Sequence, residues 1–186
     1  MKQTKLFGEE EPRVLISLEL RKAQSLAEEI AQTIGVHCNR IEIVGSIRRK
    51  KPMVGDIDFV VNASDYNWSR ILQSLKKSQV ICAGNSLIKL NCPCGNSLFQ
   101  TDFYRANEKT FGIQTLIRTG SADHNMWLAG YAISRGCRLK YSEGLLKGEA
   151  VVAGETEESV FSVLDLPTPK PEQREVRDGK PVWLEA

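Results

Sequence analysis

Gly45-Ser46-Ile47-Arg48-Arg49-Lys50-Lys51-Pro52-Met53-Val54-Gly55-Asp56-Ile57-Asp58 joins a Gly-Ser turn, a run of four basic residues and two carboxylates one residue apart. The apolar Phe59-Val60-Val61 follows at once. Side chains alternate between faces in an extended chain, so Asp56 and Asp58 point the same way. Two carboxylates side by side repel unless a cation sits between them. Hard divalent ions such as Mg2+ take oxygen ligands, commonly one or two carboxylates together with substrate phosphates. The Gly45-Ser46 backbone amides and the basic side chains lie just upstream, where they can hold those phosphates. The stretch reads as a metal-dependent nucleotidyl-transfer site at the start of a strand.

Outward from it, residues 1–12 are polar and acidic, a flexible lead-in. Apolar residues recur at helical spacing over 14–34, with Ser17 as cap and Gly35 as the end. Residues 40–44 alternate as a short strand that runs into Gly45-Ser46. Residues 57–62 form the next strand, with Asp56 at its start and a hairpin-like turn at Pro52 and Gly55. Residues 66–77 read as a helix capped by Ser64 or Asp65. Three further strands follow at 80–82, 87–90 and 98–104, the last two joined by a turn over 92–97. Asp102 stands in the last strand. It is either an edge-strand surface charge or a third metal ligand beside Asp56 and Asp58. Helices at 111–117 and 121–135 are broken at Arg118-Thr119-Gly120-Ser121, and Gly136 caps the second. Short strands at 139–141, 145–147 and 150–152 precede a helix capped by Thr156 and ending near Leu164. An extended Pro-rich segment and a charged tail close the chain. A boundary falls near residue 108, between an α/β half and a smaller α+β half.

The chain has 186 residues, 41% of them hydrophobic, which supports a packed core and excludes global disorder. A net charge of +2 neither supports nor excludes nucleic-acid binding, because local patches decide that. No apolar run approaches the ~20 residues of a membrane span, and the N-terminus has no signal-peptide core. A soluble, cytoplasmic chain is expected. The five cysteines are an odd, scattered set and read as reduced thiols. Cys92-Pro93-Cys94 is too closely spaced for a structural zinc pair and reads as part of the hairpin turn.

With these residues in place, the sequence resembles the family X DNA polymerases, the DNA polymerase beta-like nucleotidyltransferases, and bacterial and archaeal members in particular. The resemblance spans roughly residues 13–175. It rests on Gly45-Ser46-x-Arg48-Arg49 with Gly55-Asp56-x-Asp58, Asp102 in Gln-Thr-Asp-Phe-Tyr-Arg, Thr119-Gly120-Ser121, Asp123-His124-Asn125, the 152–158 segment and Pro171-Glu-Gln-Arg-Glu175. It implies an α+β fold: a nucleotidyltransferase palm with a mixed sheet and flanking helices over 13–108, a small α+β thumb over 109–175, and a tail over 176–186. It implies a minimal polymerase reduced to palm and thumb. Such an enzyme moves a nucleotide from a (deoxy)nucleoside triphosphate to a primer 3′ hydroxyl and releases pyrophosphate, in DNA repair or gap filling.

The implied roles follow residue by residue. Asp56 and Asp58 bind two Mg2+ ions, for which Mn2+ can substitute. Asp102 binds the ion nearer the primer hydroxyl and helps activate it. Ser46 and Arg49 hold the β and γ phosphates, Gly45 lets the backbone approach closely, Gly55 belongs to the same nucleotide-binding site, and Arg13 contacts the triphosphate. Thr119 and Gly120 line the sugar pocket, and Asn125 reaches the nascent pair. Lys50, Lys51, Arg118, Arg135, Arg138 and Lys140 are candidate contacts to the DNA backbone. The aromatic pair that usually precedes Thr-Gly-Ser, part of which rejects ribonucleotides, is Ile117-Arg118 here. The implied partners are primer-template or gapped DNA and nucleoside triphosphates, bound by a monomer with no membrane. Two other readings stay open: a nucleotidyltransferase acting on an RNA end, a protein or a small molecule, and a non-catalytic nucleic-acid-binding module.

Overall fold

The computed structural model describes residues 14–184. Arg13 and the 1–12 lead-in lie outside them. Its first elements depart from the sequence expectation. Residues 14–19 are extended, not helical. Val14 O and Ile16 N bond the backbone of Leu98, and strand β1 (Leu18–Glu19) pairs with β3 (Met53–Val54). Helix α1 (Leu20–Gly35) therefore begins later than the periodicity suggests, and Ser17 caps nothing. An apolar pattern cannot separate a helix from an extended segment whose backbone is paired with distant residues. Within α1, Ala23, Ala27, Ile30 and Ile34 are buried at helical spacing.

Next come β2 (Arg40–Ile43), a single helical turn α2 (Gly45–Arg48), β3, and β4 (Asp56–Asn62). Helix α3 (Asp65–Ser74) starts at Ser64, whose hydroxyl accepts from Asn67 N. Strands β5 (Gln79–Ala83), β6 (Leu87–Cys94) and β7 (Ser97–Arg105) complete a five-stranded mixed sheet in the order β2-β4-β7-β6-β5. The β6–β7 turn is tighter than expected. Cys92 and Pro93 sit in β6, opposite Phe99 and Leu98. All five cysteines are free thiols.

The sheet alternates as a pleated surface must. Ile57, Phe59 and Val61 of β4 face the core formed with α1 and α3, where Phe59 stacks on Phe103 at 5.1 Å. Asp56, Asp58 and Val60 face the other way. There α4 (Phe111–Thr119) packs against β4, and Phe111 meets Val44 and Val60.

A second core lies in the C-terminal half. Helix α5 (Ala122–Ser134) starts at Ser121, whose hydroxyl accepts from His124 N. Strands β8 (Cys137–Lys140), β9 (Gly144–Lys147) and β10 (Ala150–Ala153) form an antiparallel sheet. Thr156 caps α6 (Glu157–Val163) through Ser159 N. The 176–184 segment, expected as a tail, folds back as β11 (Val176–Arg177) and β12 (Lys180–Pro181). Trp183 then packs edge-on to Trp127 and Phe161 in this core. The fold is α+β. Among the described residues no helix is long and apolar enough to cross a membrane.

Candidate active site

The sheet brings the three carboxylates together by register. Strands β4 and β7 are parallel, with Asp58 directly opposite Asp102 and Asp56 opposite Gln100. One oxygen from each of Asp56, Asp58 and Asp102 lies within 4.8 Å of the others. β7 is the central strand of the sheet, not its edge, so Asp102 is only 2% exposed. The edge-strand reading of Asp102 is thereby excluded. Strand order is set by which segments pair, and one strand's own alternation does not carry that.

Like charges directly opposite across strands destabilise a sheet. The cost appears at Asp58, whose carboxyl burial pushes up to about 7, with the charges of Asp56 and Asp102 adding to the shift and Arg118 and Arg49 opposing it. Burial and then the Asp102 charge also raise Asp56. Asp102 Oδ1 is buried without a hydrogen-bond partner among the described residues. Three carboxylates that repel in low dielectric, one with an orphaned oxygen, are a donor set suited to a hard divalent cation.

Above the carboxylates, β2 ends at Val44, whose N–H donates to Asp58 O at 2.9 Å. Gly45 then turns with φ +64°, and a Cβ there would lie 2.1 Å from Asp58 Oδ2. Only glycine allows α2 to pass this close to the carboxylate. Ser46 Oγ is buried without a partner among the described residues, as is Asn125 Oδ1. Gly45, Ser46, Arg49, Asp56, Asp58, Tyr104, Ile117, Arg118, Gly120 and Asn125 line one cleft of about 290 Å3. A cleft of about 350 Å3 opens beside Asn62 and Arg105. It contains no acidic cluster, and Arg105 there is committed to Asp65 and Ala63 O.

Other expected site residues distribute differently. Thr119 is buried: its carbonyl accepts from Arg49 Nη1 and its hydroxyl from Arg48 Nη1. At Gly120 (φ +73°) a Cβ would lie 3.0 Å from Arg49 Nη1. Gly55 is exposed outside the cleft, and a Cβ there would touch nothing within 4 Å. Arg118, expected on the DNA backbone, lies inside the cleft, its guanidinium 3.8 Å from the Tyr104 ring centroid. Arg135, Arg138 and Lys140 are on the outside of the C-terminal half, loosely paired with Asp165, Glu149 and Glu143.

The rest of the basic run lies on the seam between the halves. Lys50 Nζ is 2.9 Å from Glu172, and Lys51 Nζ is 2.6 Å from Glu175. Arg48 grips Glu157 with both terminal nitrogens at 2.9 and 2.6 Å, and Arg174 reaches the same carboxylate at 2.5 Å. Burial works to raise the pKa of Glu157, but the bonds from Arg48 and Arg174 outweigh it and hold the carboxyl below its ordinary value. No role for Glu157, Arg174 or Glu175 is legible from their local sequence. Their only signal was membership in the quoted 152–158 and 171–175 motifs.

Two comparisons with known proteins bear on this arrangement. The DNA polymerase beta thumb family model matches residues 114–175, the segment that holds α5, the β8–β10 sheet, α6 and Arg174. Over 172 residues the chain is 26% identical to the DNA polymerase/3'-5' exonuclease PolX of Bacillus subtilis (strain 168), covering 90% of this chain and 30% of that protein. The chain thus spans about 30% of the length of that curated relative.

Proposed function

We propose, on the premise that the chain belongs to family X of the DNA polymerases, that it joins a nucleotide to a primer 3′ hydroxyl and releases pyrophosphate. The observation that carries this reading is the acidic triad set across β4 and β7, with Asp58 opposite Asp102 and with Asp56 and Asp58 lining the cleft. In this reading residues 13–108 form the palm, 109–175 the thumb, and 176–184 an extension of the thumb core.

Asp56, Asp58 and Asp102 would hold two Mg2+ or Mn2+ ions, whose charge stabilises the attacking and leaving oxygens of an in-line displacement. The primer oxygen bonds to the α-phosphorus as the bond from that phosphorus to its bridging oxygen breaks. Asp102 orients the primer hydroxyl. Ser46 Oγ, buried and unsatisfied, donates to a phosphate oxygen. Arg49, already in the cleft wall, adds a charge-assisted donor. Gly45 lets the backbone and Asp58 approach together. Asn125 offers its unpartnered Oδ1 to the incoming nucleotide.

Primer extension with Mg2+ or Mn2+ on single-stranded, recessed and one-nucleotide-gapped DNA, each nucleotide offered separately, tests the proposal. Template-matched incorporation supports it, and no incorporation on any of these DNAs refutes it. Two variants test the roles. Asp102→Ala removes extension while triphosphate binding persists, because Asp56 and Asp58 still hold the nucleotide's ion. Arg49→Ala weakens triphosphate binding by about 1.5–3 kcal/mol, the range for a charged hydrogen bond. Equal nucleotide affinity in equilibrium titrations would remove Arg49 from the phosphate site.

A further inference from the structure

We propose, resting on the nucleotidyl-transfer reading above, that Lys89 is the positioning residue of Asp102: it holds one carboxylate oxygen and leaves the other for the reaction. Lys89 stands on β6 directly opposite Asp102, so Asp58, Asp102 and Lys89 form one row across β4, β7 and β6. Its Nζ lies 2.8 Å from Asp102 Oδ2. The Tyr104 hydroxyl donates to the same oxygen at 3.2 Å. Oδ1 is buried and receives nothing from the described residues.

The asymmetry is the informative feature. The terminal torsion of an aspartate is broad, and an unrestrained carboxylate presents either oxygen. Here two donors, one from the neighbouring strand and one from two residues along β7, fix the carboxylate plane through Oδ2. The Lys89 side chain is 30% exposed and the Asp102 side chain 3%. The aliphatic stem thus carries the charge from the solvent side to a buried acid. Groups that orient a ligand carboxylate in this way are worth roughly 10–100-fold in affinity or activity. An ammonium beside a cation site also repels the cation. Lys89 therefore sacrifices some ion affinity for a fixed carboxylate geometry.

Lys89→Met keeps the stem and removes charge and donors, whereas Lys89→Arg keeps both. Single-turnover primer extension is measured beside Mn2+ titration followed by electron paramagnetic resonance, without DNA or nucleotide. Lys89→Met slows extension about 10–100-fold and shifts nucleotide affinity by no more than about two-fold. The same variant binds Mn2+ several-fold tighter. Lys89→Arg stays within about three-fold of the unmodified chain in both measurements. Unchanged rate and Mn2+ affinity overturn the proposal. So does parallel loss of both with a lowered melting temperature, which marks a merely structural lysine. An effect confined to DNA affinity and its salt dependence also overturns it, because that marks a phosphate contact. If the unmodified chain extends no primer, the reaction itself falls, and the Mn2+ arm alone decides Lys89. Several-fold tighter Mn2+ binding by Lys89→Met sustains the proposal, and equal affinity refutes it.

Discussion

Asp58 faces Asp102 on the parallel strand and shares its own face with Asp56, while Gly45 presses against its carboxylate. Its pKa near 7 has a consequence for the metal-free protein. The folded state holds this proton more tightly than the unfolded chain does. The stability tied to it is present in full below the ordinary value of 3.8 and is lost as pH rises through about 7. The loss is on the order of 4 kcal/mol at 1.36 kcal/mol per unit. In the proposed metal complex a divalent cation takes the place of the proton. Melting of the metal-free protein is expected to fall from about pH 5 to about pH 8, with Mn2+ raising it more at the higher pH. Asp58→Asn should flatten both trends, and the difference between the two proteins isolates this residue from others that titrate.

Elements meet through single residues here. Helix α6 starts at Thr156, and the Glu157 that follows is clamped by Arg48 of α2 and by Arg174. Gly112 of α4 lets that turn approach, since a Cβ at Gly112 would lie 2.2 Å from Thr156 Cα. Arg174 is 1% exposed and its other partner is Pro169 O, so Glu157 supplies its buried counter-charge. Removing one partner of a buried ion pair costs about 3–5 kcal/mol, because the remaining charge stays desolvated. Glu157→Ala is expected to lose that much in urea unfolding, whereas Glu158→Ala, on the exposed next position, should stay within about 0.5 kcal/mol. Equal effects of the two would show that the clamp contributes nothing.

Among the described residues, Lys51, Arg138 and Lys140 fall into two sets. Lys51 is spent on Glu175 at the seam between the halves. Arg138 and Lys140 project from the C-terminal half in exposed pairs, with Glu149 and Glu143. Exposed pairs are worth little, so a phosphate can replace the carboxylate. In the proposed DNA complex, Arg138→Ala and Lys140→Ala should each reduce the slope of log affinity against log salt by about one. Lys51→Ala should leave the slope unchanged. Anisotropy of labelled primer-template DNA across a salt series distinguishes the two sets. A reduced slope in Lys51→Ala would assign that lysine to DNA.

Local rules made part of this protein legible from its residues alone. Alternation puts Asp56 and Asp58 on one face, and Ser64, Ser121 and Thr156 mark helix starts whose hydroxyls do accept from the third residue on. These features depend on neighbours in sequence, so sequence contains them. Strand order does not, and it alone made Asp102 central and buried rather than an edge charge. Long-range pairing likewise drew residues 14–19 out of the apparent helix and sent Lys50 and Lys51 to Glu172 and Glu175. Each of those contacts joins segments far apart in the chain, where the free energy comes from packing and backbone pairing that no local pattern records. The sequence determined which groups could do the chemistry, and only the tertiary structure decided which of them share one site.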